Sequence, residues 1–483
     1  MRLNDGHIFT TFHFSLAIMV HTFQCLNRYF TVDTESGSFF ETDELTRILI
    51  ESRQFPAKTR AGDFLRFSAQ EIRDANREID VLTREGVLFS APAASEPSEF
   101  NGVVKSLCLN VTHLCNLRCA YCFADETKNE KQKTKNDGWE AERSFTNLYG
   151  TASGHMPLAT AKAAVDFLIA HLGKTRNLEV DFFGGEPLLN LSVVKETVAY
   201  ARVLEKKHNK NFRFTITTNA LLLGDDATDF FNAEMDNVVL SIDGRENVHN
   251  SVRKTPGGAD SFALSLKNAL SFVKRRGDKK YYVRGTFTAK NLDFCGDALA
   301  LADYGFTNVS IEPVVLPETH PLAIRQSHLP AILAEYEKLA GEYLARRAAG
   351  EWFTFFHFNM DVYNGPCAAK RLKSCGAGCE YLAVAPDGSL YPCHQFVGSP
   401  PHLVGNVLTG RYEKELPLRF WARNHVNSKP ACQACWAKYY CSGGCAASAV
   451  KFGGALSQPH GLSCAMMQKR IECALAVYAV ENG

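Results

Sequence analysis

Sixteen cysteines in 483 residues are the part of this chain best suited to chemistry, and their placement narrows which chemistry. Cys25 stands by itself in the first hundred residues. Four more fall at Cys108, Cys115, Cys119 and Cys122, and ten crowd between Cys367 and Cys473. Short, repeated spacings point to metal ligation rather than to scattered buried thiols. A disulfide framework suits small secreted domains, whereas this chain is long and shows no basic leader or small-residue cleavage site. The apolar opening from Ile8 to Val20 is broken by Thr10, Thr11 and His13, so it is taken as the start of the fold.

Within Cys115-Asn116-Leu117-Arg118-Cys119-Ala120-Tyr121-Cys122, three thiolates at spacings of four and three can each take one corner of an iron–sulfur cubane. The fourth iron then lacks a protein ligand and stays open to a substrate. Zinc fits poorly, because its structural sites close a tetrahedron with two CxxC-like pairs, and only His113 precedes this set. The carboxy-terminal set, Cys432-Gln433-Ala434-Cys435 with Cys441, Cys445 and Cys464, follows Cys367, Cys375, Cys379 and Cys393 upstream. A zinc-ribbon-like pair of structural sites is the competing reading there, and iron content separates the two. Cys25, Cys108, Cys295 and Cys473 read as buried small hydrophobes.

These residues need a scaffold. The length implies two or three domains. A formal charge of +1 argues against a nucleic-acid surface, and no apolar run is long enough to span a bilayer, so a cytoplasmic protein is expected. Residues 18–92 form a leading domain: Val20–Phe30 and Thr31–Phe40 read as strands, Thr42 with Glu44 opens a helix through Ile50, and Ser68-Ala69-Gln70-Glu71 is a capping box for a helix through Arg84. Strands followed by helices suggest a winged-helix-like binding module. A linker from Ala91 to Pro97 follows.

From 101 to 320, strands alternate with helices. The strands are Val104–Val111, Leu178–Phe183, Phe212–Thr218, Val238–Asp243, Tyr281–Thr288 and Val309–Val314; Pro157–Leu172, Ser192–His208 and Ser261–Arg276 are among the helices between them. The fold class is therefore α/β, a partial (β/α)6 barrel with parallel strands whose carboxyl ends carry the site. The Lys-, Glu- and Asn-rich stretch Asp125–Asn136 reads as a solvated insertion after the first cysteines. Residues 357–483, rich in Gly and Cys, are expected to have little core of their own and to be held by metal. Polar groups recur at the strand ends: Gly184-Gly185-Glu186, Thr217-Thr218-Asn219, and Ser241-Ile242-Asp243-Gly244 followed by His249 and Arg253. Turn and cap chemistry remains an alternative for Asn219 and Asp243.

The C-x3-C-x-aromatic-C pattern in a strand-to-helix loop resembles the signature of the radical SAM superfamily. That resemblance implies a 4Fe–4S cluster on Cys115, Cys119 and Cys122 that cleaves S-adenosylmethionine to methionine and a 5′-deoxyadenosyl radical. It implies that Gly184 and Gly185 let the backbone approach the methionine moiety, that Glu186 receives its ammonium group, and that Arg253 meets its carboxylate. Thr217 and Asn219 would line the same pocket, Ser241 would hydrogen-bond the nucleoside or carboxylate, and Tyr121 and Ile311-Glu312-Pro313-Val314 would lie near adenine. The distal cysteines resemble the SPASM extension of peptide-modifying members, which carries two auxiliary 4Fe–4S clusters. By that likeness Cys367, Cys375, Cys393 and Cys445 hold the first and Cys432, Cys435, Cys441 and Cys464 the second, with Cys379 an extra candidate. The segment Tyr391-Pro392-Cys393-His394-Gln395-Phe396-Val397-Gly398 resembles maturases that form Cys-to-carbon thioethers, of the six-cysteine-peptide and quinohemoprotein amine dehydrogenase types. The leading domain resembles, more loosely, the element such enzymes use to hold a leader peptide by β-augmentation. The partners implied are a Cys-containing peptide or small subunit and an electron donor such as flavodoxin or ferredoxin. A sulfatase-type maturase forming formylglycine and a non-catalytic iron–sulfur electron carrier are the alternatives.

Overall fold

The computed structural model describes residues 19–58, 60–92, 102–124, 146–149, 154–360 and 372–483. The expectations for Ile8 onward through residue 18, most of the linker, the insertion from Asp125 to Asn136 and Cys367 lie outside them.

The chain opens with an antiparallel meander, β1 (Val20–Cys25), β2 (Arg28–Asp33) and β3 (Phe39–Thr42), in place of the two strands expected from the sequence. The extra turn falls at Leu26-Asn27, both at positive φ (54° and 60°), a two-residue hairpin with none of the Gly that usually announces one. Helix α1 (Glu44–Gln54) is capped by Asp43, whose carboxylate accepts from Thr46 N–H, rather than by Thr42. Helix α2 (Ala69–Arg84) begins at the Ser68–Glu71 capping box. The meander leans on the carboxy-terminal region. His21 stacks on Trp436 with ring centroids 4.0 Å apart, Thr34 Oγ1 donates to the Trp436 carbonyl, and Glu35 is buried against Lys438.

Six strands then run parallel: β4 (Ser106–Thr112), β5 (Asn177–Gly184), β6 (Asn211–Thr218), β7 (Asn237–Ser241), β8 (Lys280–Phe287) and β9 (Asn308–Pro313). Helices α3 (Leu158–His171), α4 (Leu191–His208), α5 (Asp225–Glu234), α6 (Glu246–Val252), α7 (Phe262–Arg276) and α8 (Phe294–Asp303) connect them. Along β5 and β6 exposed and buried residues alternate, whereas β4 and β7 are buried on both faces. Leu107, Leu109, Val180, Phe182, Phe214 and Ile216 enter the buried core. A large side chain taken wholly out of water contributes about 1.5–3 kcal/mol, so this layer fixes the register, and with it the face each polar residue occupies.

The sheet does not close on itself. Beyond β9 it adds the short β10 (Thr354–Phe355). Beyond β4 it adds β11 (Tyr381–Val384), parallel, then the antiparallel β12 (Ser389–Tyr391), β13 (Gly405–Asn406) and β14 (Arg411–Tyr412). The Cys-rich region is thus sewn into the barrel sheet through β11. Its last helix, Gly461–Asn482, packs along α9 (Leu329–Ala348). Its apolar core is largely shared with the barrel, which differs from a region held by metal alone.

Candidate active site

The loop after β4 carries Cys115, buried, and Cys119 and Cys122, half-buried. Two segments hold it, the one that follows β5 and the one that follows α6. Gly185 N–H donates to the Thr112 carbonyl at 2.8 Å and Glu186 N–H to the Leu114 carbonyl at 3.0 Å. Cys119 pairs antiparallel with Arg253, and Ala120 N–H donates to the Val252 carbonyl. Gly184 has φ +124°, and a Cβ there would lie 2.2 Å from the Thr112 oxygen; one on Gly185 would lie 2.1 Å from the Leu114 oxygen. The two glycines therefore serve, in this geometry, the approach of β5 to the cysteine loop itself.

Burial, with Cys119, Glu186 and Cys122 nearby, pushes the Cys115 thiol well up. Burial likewise pushes Cys119 up to about 12, against the pull of Arg253. Thiols in such a setting keep their protons unless a bound metal displaces them. The Tyr149 hydroxyl is buried without a hydrogen-bond partner among the described residues, and it faces Cys122, Cys108, Cys115 and Cys393 electrostatically. An inorganic sulfide would give that hydroxyl an acceptor, so the residues fit a cubane. Among the described residues, no three His, Cys, Asp or Glu side chains converge on one metal ion. A cubane makes no such demand, since each thiolate meets its own iron.

The strand ends beside the loop form a connected polar network. Glu186 is 1 % exposed. Its carboxylate accepts from Leu188 N–H, Thr218 Oγ1 (2.7 Å) and Asn219 N–H (2.8 Å), tying β5 to β6. Burial raises it to about 7 despite those bonds. Asn219 donates through Nδ2 to Asn116 Oδ1, inside the cysteine loop, and accepts from Leu221 N–H. It is thus both a turn residue and a brace for the loop. Thr217 is half-buried on β6 and Ser241 half-buried at the end of β7.

Arg253 sits differently from the expectation. Its Nε and Nη2 donate to Asp243 at 2.8 and 3.0 Å, a bidentate pair, and its guanidinium lies 5.4 Å from the Tyr121 ring centroid. Tyr121 donates to the same carboxylate at 2.6 Å, and Asp243 also accepts from Thr286 N–H on β8. Arg253 and Tyr121 are therefore parts of a buried knot centred on Asp243, which fastens the cysteine loop to β7 and β8. Glu312 does not stand free beside a base either. His357 and Arg470, at 3.1 and 3.0 Å, hold its carboxylate well below the ordinary range although burial opposes them.

The distal cysteines fall into two groups. Cys393 is pushed up to about 12 by burial, with Cys445 and Cys375 facing it. Cys464 is pushed up to about 12 by burial, with Cys441, Cys432 and Cys435 facing it. Cys379 donates its S–H to the Pro417 carbonyl at 3.5 Å, and Cys375 of the first group lies near enough to act on it electrostatically. Cys25 and Cys473 lie against each other, sulfurs 4.0 Å apart, where the meander meets the last helix. The two ends of the site meet at His394, next to Cys393. Its ring is 4.9 Å from Phe183 on β5 and 5.6 Å from Phe123, next to Cys122. Sequence reasoning passed over Asp243 as a buried hub, together with His394 and Tyr149. Ser-Ile-Asp-Gly at a strand end flagged the first; nothing in the sequence distinguishes the other two.

Residues 109–281 match the family described as the radical SAM superfamily. That stretch runs from β4, through the cysteine loop, to the start of β8. Its relatives include an uncharacterized protein, MJ0907, of Methanocaldococcus jannaschii, 28% identical over 43% of this chain and 62% of that protein. This chain therefore spans less than two thirds of that relative. The radical SAM cyclopropyl synthase TigE of Paramaledivibacter caminithermalis is 23% identical over 71% of this chain and 68% of that protein. A cysteine-type anaerobic sulfatase-maturating enzyme of Clostridium novyi is 24% identical over 59% and 71%. The solved structure of anSMEcpe with bound AdoMet and the Kp18Cys peptide is similar in fold, with a TM-score of 0.61 at 19% identity over 78% of this chain and 99% of that one.

Proposed function

We propose that this protein is a radical SAM peptide maturase that forms intra-peptide thioether cross-links between a Cys sulfur and a carbon of an acceptor residue. Cys115, Cys119 and Cys122 hold its first cluster. Cys375, Cys393 and Cys445, with Cys367, hold a second, and Cys432, Cys435, Cys441 and Cys464 a third. When bound, the clusters and S-adenosylmethionine supply reductive cleavage to a 5′-deoxyadenosyl radical, hydrogen abstraction from a peptide carbon, and its oxidative capture by sulfur.

The observation that carries the thioether reading is the meeting of the two cysteine regions at His394, beside both Cys393 and the Phe123 that follows Cys122. A peptide sulfur brought to the distal group would then stand next to the carbon-activating loop. The chain's own residues orient and shield. Glu186 offers a buried carboxylate to the ammonium of S-adenosylmethionine, with Thr218 and Asn219 N–H fixing it. Thr217, Asn219 and Ser241 line the strand ends beside it, and the Asp243 knot fixes Tyr121 and Arg253 at the loop. The three-stranded meander is the candidate leader holder, with β3, an edge strand among the described residues, as the place for strand addition. A relative described as a PqqA peptide cyclase, of Xanthomonas campestris, 25% identical over 60% of this chain and 67% of that protein, supports a peptide substrate.

The test is co-production with the small Cys-containing peptides encoded beside this chain, followed by mass spectrometry. A loss of two hydrogens per cross-link, with the cysteine protected from alkylation, is expected. An aldehyde in place of a Cys or Ser side chain would overturn the thioether reading in favour of formylglycine formation.

A further inference from the structure

Lys429 is a buried cation without a carboxylate partner among the described residues. The residue is fully buried, and its Nζ donates to two neutral oxygens, Gly443 O at 2.7 Å and Asn424 Oδ1 at 2.8 Å. Lys373 and Lys438, by contrast, have acidic partners, Glu380 at 3.0 Å and Glu35 at 2.5 Å. An ammonium taken out of water costs several kcal/mol unless an anion compensates it. The groups that face Lys429 are cysteines. Burial lowers its pKa, and Cys432, Cys441, Cys445 and Cys464 oppose that shift. Cys375 feels the same charge.

These cysteines belong to both distal groups, and the loop between the groups is where Nζ is anchored. Gly443, at φ +87°, lies between Cys441 of one group and Cys445 of the other, and a Cβ there would come 3.4 Å from Nζ. Gly444 N–H donates to the Cys441 carbonyl at 3.4 Å, and the backbone N–H groups of Gly443 and Gly444 hold the Cys441 thiol down against its burial. Ser374 N–H donates to the Ser442 carbonyl, which draws the Cys375 segment onto the same loop. Neutral thiols would leave the ammonium uncompensated, whereas metal-bound thiolates compensate it.

We propose that Lys429 is the shared counter-ion of the two distal cysteine groups, a fixed buried cation that raises the reduction potential of the cluster each group holds. The inference rests on the reading above that both groups hold clusters. Reduction adds negative charge, and a nearby cation in a poorly screened site favours the more negative state. Lys429 touches no substrate, so it is a positioning residue.

The test compares the wild type, Lys429→Met and Lys429→Arg as reconstituted full-length chains, by iron content and by redox titration followed by electron paramagnetic resonance. Lys429→Met should shift the midpoints of the distal clusters to more negative potential. The midpoint of the Cys115 cluster should stay in place, and Lys429→Arg should restore wild-type midpoints. If Lys429→Met loses distal iron while Lys429→Arg keeps iron and potential, the need for charge is equally shown. Unmoved midpoints in a fully loaded Lys429→Met, or loss of distal iron in both variants, would overturn the inference. A wild type whose distal groups take up no iron would instead sink the cluster reading itself.

Discussion

At the scale of single residues, the site is built from groups whose ionisation depends on something being bound. Glu186 is the clearest. Three donors converge on its carboxylate, so Glu186→Gln turns one acceptor into a donor and sets it against an N–H or O–H. A loss of about 1–3 kcal/mol is expected, read as a lower urea midpoint. The thiols predict a pH dependence with a definite sign. Burial pushes Cys119, Cys393 and Cys464 up to about 12 and Cys432 up to about 11. An unfolded thiol titrates near about 8.5, so above that pH the unfolded chain releases protons that the metal-free fold retains. The thiols' contribution to the metal-free fold is thus full below about pH 8.5 and is lost as pH rises towards the folded values. Melting temperatures taken between about pH 8 and about pH 10 should fall for the metal-free protein and fall far less for the loaded one. The cysteines and the strand-end motifs were legible in the sequence because their spacing is itself the signal. The knot of Tyr121, Asp243 and Arg253 was not, since its members are 122 and 10 positions apart and only the fold joins them.

At the scale of elements, close approach of backbones decides the geometry. β5 can lie against the cysteine loop because Gly184 and Gly185 have no side chains there. Gly185→Ala must push Leu114 aside; overpacking of this kind costs about 1–3 kcal/mol. Reconstitution should then yield less iron in the Cys115 group with the distal groups still filled, as measured on a variant lacking the distal cysteines and on the full chain. The six barrel strands matched their apolar patterning to within a few residues, because a one-residue slip would turn the core faces to the wrong side. The hairpin at Leu26-Asn27 escaped notice for the opposite reason. Residues of ordinary type occupy a positive-φ turn, and only the packing of β1 on β2 reveals it.

At the scale of the whole molecule, the first and last parts of the chain meet. The meander docks on the Cys-rich region through Trp436, through Cys25 against Cys473, and through the buried pair of Glu35 and Lys438. Glu35→Ala leaves Lys438 uncompensated and should destabilise the protein by about 3–5 kcal/mol, visible as a lower melting temperature and faster proteolysis of the meander. Composition sets a leading and a trailing region apart from the middle of the chain; it gives no sign that β11 continues the barrel sheet, because four residues of ordinary strand type carry no address. The continuity matters for function, since it sets the distal cysteines at a fixed distance from the barrel mouth.

The most direct measurement is anaerobic reconstitution with iron and sulfide, then dithionite and S-adenosylmethionine, with 5′-deoxyadenosine quantified by chromatography. The wild type should produce 5′-deoxyadenosine, and Cys115→Ala should abolish it while the distal groups keep their iron. No 5′-deoxyadenosine from fully loaded wild type, or an undiminished yield from Cys115→Ala, would contradict the account.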